Sequence, residues 1–167
     1  MTGSLPVIVF EALHPDVTPP VRATREAAGY DLRAHLRGRT VSVFTDGARS
    51  ERGPDAAGVI TLAPRELALI PLGFRARLPD GFEAQIRIRS SVALKKELTL
   101  PNAPGTIDAD YPDEWHVMVR NSGSRPARIE HGERIAQVVL ASYAIAEWRP
   151  GTVNRSTDRA GGLGSTG

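Results

Sequence analysis

The stretch NAPGTIDADYPDEW, residues 102 to 115, gathers Asp108, Asp110, Asp113 and Glu114 around a Pro-Gly turn and one tyrosine, Tyr111. Carboxylates so grouped can activate water or hold hydrated magnesium, an ion that commonly takes one or two carboxylates and leaves the rest of its shell to water and phosphate. A solvated acidic loop has the same composition. In RSSVALKK, residues 89 to 96, Arg89 offers a guanidinium fork and Ser90 and Ser91 offer hydroxyls. That set suits phosphate oxygens, and either serine would serve equally as a helix N-cap. In AAGYDLRA, residues 27 to 34, Asp31 stands near a glycine at the start of a strand, as a turn carboxylate or a ligand-facing one. HGERIAQVVL, from His131, reads locally as a turn followed by a strand. The ending DRAGGLGSTG, residues 158 to 167, joins Arg159 to glycines and the hydroxyls of Ser165 and Thr166. It is either a tail left in water or a backbone cradle for phosphate.

The elements that must hold these residues are predicted to be short strands. Sixteen glycines and thirteen prolines leave few stretches long enough for an ordinary helix. In GFEAQIRIRS, Phe82, Ala84, Ile86 and Ile88 alternate with Glu83, Gln85, Arg87 and Arg89, the period of a half-buried strand. ELALIPLGFRARL repeats the pattern, with Ala68, Ile70, Leu72, Phe74, Ala76 and Leu78 on one side. Strands at such spacing suggest a sandwich, jelly roll or barrel. RIAQVVLASYAIAEW has the alanines of a helix; as a strand it puts Ile135, Gln137, Val139, Ala141, Tyr143 and Ile145 on one face and is buried on both. A glutamine on such a face needs partners, from water, backbone or ligand. Residues 37 to 57 are polar and arginine-rich and form an excursion, a hairpin turning at TDGA. No repeat or linker divides the rest, so residues 1 to 155 are expected to form one β domain with this polar insertion.

A chain of 167 residues can build a real core. Having no cysteine excludes disulfides and thiolate zinc sites, and four histidines without HxxxH or HxH spacing predict no soft-metal site. A net charge of +2, spread over 19 arginines and two lysines, argues against a nucleic-acid arm or a membrane surface and is compatible with an anionic small molecule. LPVIVF is too short for a secretory core, and no run approaches the ~20 apolar residues of a membrane helix, so a cytoplasmic protein is expected.

In chain order, AAGYDLRA, IRSSVALKK, GTIDADYPDEW, HGERIAQVVL and GGLGSTG resemble the five motifs of the trimeric deoxyuridine triphosphatases, the dUTP pyrophosphatases, from about Ala27 to Gly167. The resemblance implies an all-β, distorted jelly-roll-like fold and a homotrimer whose active sites draw motifs from more than one subunit. It implies Mg²⁺-assisted hydrolysis of dUTP to dUMP and pyrophosphate, which removes dUTP and supplies dUMP for thymidylate synthesis. Asp108 would activate the water that attacks the α-phosphorus. Asn102 and the hairpin backbone of Gly105, Thr106 and Ile107 would meet the uracil edge, and Tyr111 would pack on deoxyribose and exclude a 2′-hydroxyl. Arg89, Ser90, Ser91 and Gln137 would contact phosphates or the attacking water, and Asp31 would reach metal through water. Residues 156 to 167 would be a flexible lid arm, with Arg159, Gly162, Leu163, Gly164, Ser165 and Thr166 closing on substrate. The chain departs from the family pattern in having Leu163 where an aromatic residue usually stacks on uracil, a shorter spacing from Arg159 to the glycines, Asp113 in place of a glycine, and the 37 to 57 excursion. A dCTP deaminase, alone or combined with the dUTPase activity, shares this fold and an RSS motif, but carries a glutamate about where Met118 lies here. A non-catalytic nucleotide-binding β protein is the third alternative, and the presence of Asp108 and Tyr111 speaks against it.

Overall fold

The computed structural model describes residues 4–154. Among them the chain forms thirteen strands and one short helix. In order these are β1 (Val9–Ala12), β2 (Tyr30–Arg33), β3 (Val41–Thr45), β4 (Ala48–Arg52), β5 (Val59–Leu62), β6 (Leu67–Pro71), β7 (Phe74–Arg77) and β8 (Phe82–Ile88). The helix α1 (Ser90–Lys96) follows, then β9 (Leu98–Thr99), β10 (Gly105–Ile107), β11 (His116–Asn121), β12 (Ala127–Glu130) and β13 (Arg134–Ser142). Every strand pairing is antiparallel, as the jelly-roll-like expectation requires. A five-stranded sheet, β4-β3-β6-β11-β9, and a four-stranded sheet, β10-β8-β13-β2, carry most of the structure, with the pairs β1-β7 and β12-β5 beside them.

Alternation in the sequence becomes burial in the fold. Ala68, Ile70, Leu72, Phe74, Ala76 and Leu78 are all buried, though the run passes from β6 to β7, strands of different sheets, with Leu72 and Leu78 just beyond their ends. The chain turns between them at Gly73, whose φ is +76°; a Cβ there would press on Val17 and His35 at 2.7 and 2.9 Å. Trp115 is fully buried against Phe74, ring centroids 5.3 Å apart, and fixes β11 over this junction.

The arginine-rich stretch does form a hairpin, β3–β4, turning at Asp46-Gly47, both with positive φ as a tight hairpin turn demands. It is less detached than its composition suggested, since β3 pairs with β6 and buries Val41 and Val43 completely. The stretch from Arg134 is a strand, not a helix. It pairs with β2 and β8, and Ile135, Ala136 and Val138 are buried. Burial on both faces does not extend to its end. The strand stops at Ser142, and Tyr143, Ile145, Trp148 and Val153 stand exposed on the chain that follows.

Candidate active site

The residues with chemical potential gather along β8 and just past its C-terminal end. Near that end, Gln137 on β13 is flanked in register by Asp31 on β2 and Arg87 on β8. The Asp31 carboxylate accepts from Arg134 Nη1 at 3.0 Å and is ion-paired with Arg89, whose Nε lies 3.2 Å from its other oxygen. Ser91, Lys95, Lys96 and Glu133 share a shallow cleft with these two arginines. Four cationic side chains against the carboxylates of Asp31 and Glu133 leave this end positive, an electrostatic basin for an anion. Arg89, not a serine, is the N-cap of α1; Ser90 and Ser91 lie in the first turn with exposed side chains. The Gln137 side chain lies over Gly29, where a Cβ would come within 2.2 Å of Oε1. That contact is the reason for a glycine before Tyr30. Among the described residues the Gln137 amide forms no side-chain hydrogen bond, so its donors and acceptor remain open to water or a ligand.

Along the middle of the strand, β10 pairs with β8 so that Gly105 faces Ile86 and Ile107 faces Ala84. Asn102, Gly105, Thr106 and Ile107 line a cleft with His116 and Met118. Its floor is close-packed, for a Cβ on Gly105 would stand 3.2 Å from Asn102 Nδ2. Asp108 is exposed and opens a turn in which the Tyr111 N–H donates to its carbonyl at 3.2 Å. Tyr111 is partly exposed beside Arg75 and Pro112. Burial, then the nearby Asp113 and Glu114 charges, push its phenol pKa upward, so the hydroxyl stays protonated at neutral pH.

The four-carboxylate cluster does not gather as one group. Glu114 turns inward, its Oε1 accepting from the Gly73 N–H at 2.7 Å and both oxygens accepting from Arg39 at 3.1 and 2.6 Å. Burial works to raise its pKa, yet the Arg39 guanidinium and the Gly73 N–H outweigh it and hold the carboxyl below the usual range. Glu114 is therefore a structural anchor and leaves Asp108, Asp110 and Asp113 facing solvent.

The histidines converge where their spacing gave no sign of it. Among the described residues, His35, His131 and Asp16 are the one group whose ligand atoms approach as a metal site would need. His35 Nε2 lies 3.2 Å and His131 Nε2 3.4 Å from the Asp16 carboxylate. His131 Nδ1, however, accepts from the Leu36 and Arg37 N–H groups at 3.1 and 3.2 Å, which leaves the ring proton on Nε2. Binding a metal there would require an imidazolate, so the donor set does not fit one. It is a carboxylate hydrogen-bonded to one imidazole, His35, with a second, His131, close beside it.

Asp108 and Arg89 do not meet within one chain. Ala84, opposite Ile107, and Arg89 lie five residues apart, roughly 17 Å at the rise of a strand. Arg159, Gly162, Leu163, Gly164, Ser165 and Thr166 lie outside the described residues.

The family model described as dUTPase matches residues 56–167. This chain belongs to the dUTPase family. A deoxyuridine 5′-triphosphate nucleotidohydrolase of Rhizobium rhizogenes is 41% identical over 151 residues, covering 89% of this chain and 84% of its own. One from Desulfotalea psychrophila is 46% identical over 128 residues, covering 74% and 83%. The crystal structure of a Streptococcus mutans dUTPase is 25% identical with a TM-score of 0.63, covering 84% of this chain and 99% of its own. The Staphylococcus bacteriophage 80alpha dUTPase with dUPNHPP shares the fold at 23% identity and a TM-score of 0.74, covering 96% and 98%. As in dUTPases generally, then, the architecture is a jelly-roll-like β fold.

Proposed function

We propose that the chain hydrolyses dUTP to dUMP and pyrophosphate at sites shared between the copies of a homotrimer. The observation that carries this reading is the division of labour along β8, with a hairpin cleft along its middle leading away to Asp108 and a positive, hydroxyl-bearing basin past its C-terminal end. A separation of roughly 17 Å is too long for a hydrogen-bonded cluster within one chain, and it supports a site completed by a neighbour's basin.

Asn102 and the backbone of Gly105, Thr106 and Ile107 hold the base edge in the hairpin cleft, and Tyr111 covers the sugar. The exposed Asp108 carboxylate accepts a hydrogen bond from water and aims it at the α-phosphorus. Displacement at phosphorus depends on an oriented nucleophile and stabilised charge more than on covalent help. Arg89, Ser90, Ser91 and Gln137 of a second copy donate to the phosphates or the water. The resemblance assigns Arg159, Gly162, Leu163, Gly164, Ser165 and Thr166 to substrate contact as well.

Magnesium fits the donor set when it keeps its water shell. Both Asp31 oxygens are already paired with guanidinium groups, so Asp31 would hold the ion through water while substrate phosphates would supply direct ligands. The ion supplies charge neutralisation on the triphosphate. No helix among the described residues is long and apolar enough to cross a membrane. With dUTP as its substrate, the enzyme acts in the cytoplasm and needs no nucleic-acid or membrane partner.

A nucleotide panel tests this. With Mg²⁺, the protein should release pyrophosphate from dUTP much faster than from dTTP, dCTP or UTP. Ammonia from dCTP would point to the deaminase instead, an enzyme whose glutamate the resemblance puts about where Met118 stands here. Asp108→Asn should keep nucleotide binding and lose most turnover, by roughly 10²-fold or more.

A further inference from the structure

Between β10 and the buried Trp115 the chain crosses seven residues, Asp108 to Glu114, that no strand holds. One end is tied down by pairing with β8, the other by the Trp115 N–H on the Phe74 carbonyl at 3.0 Å and the Leu72 N–H on the Trp115 carbonyl at 3.1 Å. Next to Trp115, Glu114 fixes the near end through its side chain, and its carbonyl faces the Tyr111 hydroxyl at 3.5 Å. The partner that orients Glu114 is Arg39, 75 residues away on the approach to β3. Both side chains are largely buried, at 21% and 13% exposed. Arg39 is itself aimed. Its Nη1 donates to His14 Nε2 at 2.9 Å, and His14 stacks at 4.3 Å on His35, which is held by Asp16.

We propose that Arg39 is a positioning residue for substrate selection: through the Glu114 carboxylate it stiffens the turn carrying Tyr111, and so sets how strongly a ribonucleotide is refused. The inference rests on the reading of Tyr111 as the sugar-facing residue of a dUTP site. Steric refusal of a 2′-hydroxyl works only while the aromatic ring cannot retreat, and a retreat of about an ångström is enough to admit an oxygen. Arg39 lies in the polar stretch that sets this chain apart from the family pattern, and the clamp gives one of its residues a catalytic consequence.

The test compares kcat/KM for dUTP and UTP in the full-length protein, its Arg39→Gln, Arg39→Lys and Tyr111→Ala variants, and the Tyr111→Ala/Arg39→Gln double variant. Arg39→Gln should lower the dUTP-over-UTP ratio about tenfold, with Arg39→Lys, which keeps the charge but not the fork, recovering only part of it. In the Tyr111→Ala background the same change should move the ratio by no more than about twofold, because the ring it positions is gone. An unmoved ratio in Arg39→Gln, or an equal drop with and without Tyr111, overturns the proposal. Glu114→Gln is measured by the same criterion, so that a poorly folding Arg39 variant cannot leave the matter open. A wild-type protein with no preference for dUTP overturns the dUTP reading and this inference together, whereas an intact preference with unmoved variants overturns the inference alone.

Discussion

A methyl group at Gly29 would collide with Gln137 Oε1 at 2.2 Å and crowd its Cβ at 3.1 Å. The side chain, not the backbone, is the movable party, so Gly29→Ala should cost only about 1–3 kcal/mol in a denaturant melt while displacing the amide and lowering dUTP turnover at least roughly tenfold. Turnover unchanged in the folded variant would remove Gln137 from the site. His35 makes a prediction of the opposite kind, on stability. It is buried, with Nδ1 lacking a partner among the described residues, and burial lowers its pKa against the opposing pull of Asp16. The unfolded chain then binds a proton that the folded chain refuses, so stability rises with pH through the ordinary histidine range and is lost as pH falls below it. Melting temperature should drop between pH 7 and pH 5, above the range where Glu66 and Glu114 begin to protonate, and His35→Gln should flatten that drop. Neither the histidine cluster nor the Arg39–Glu114 clamp was legible in the sequence, because both join side chains from distant segments. Asn121 was missed for the same reason: fully buried, it is satisfied by the Leu62 and Arg125 carbonyls and the Gly123 N–H, contacts set by the fold and not by any local pattern.

Strands were legible wherever one face meets the core and the other meets water. β8 and the run from Ala68 to Leu78 show this, and the Asp46-Gly47 turn was readable from its dipeptide. The break at Gly73 was not, since the alternation runs through it unbroken: the turn swaps sheets while both strands keep the same residues in the core. Composition misled about the β3–β4 hairpin by averaging two unlike faces. Val43 is fully buried, whereas Arg49 makes an exposed pair with Glu51. Val43→Ala should therefore cost about 2–3 kcal/mol and Arg49→Ala less than about 0.5 kcal/mol, measured by equilibrium urea unfolding. Equal costs would mean that the hairpin hangs off the domain without supporting it.

Sharing of the sites between copies is the question at the scale of the whole molecule, and two defective proteins can answer it together. Asp108→Asn spoils the hairpin end and Arg89→Ala the basin end. If each site takes one end from each of two copies, coexpressed variants should recover roughly a quarter of wild-type turnover, the share of random pairings that unite two sound ends. No recovery in mixed oligomers would place both ends of a site on one chain. The segment after β13 supplies its own readout of assembly. The chain has two tryptophans, one sealed behind Phe74 and the other, Trp148, 96% exposed. An indole in water emits to the red of one in a core, so the emission spectrum divides into a constant blue part from Trp115 and a red part from Trp148. Dilution of the protein would shift the red part alone if the segment beds down on a neighbour, which makes this enzyme an unlabelled fluorescent gauge of its own association.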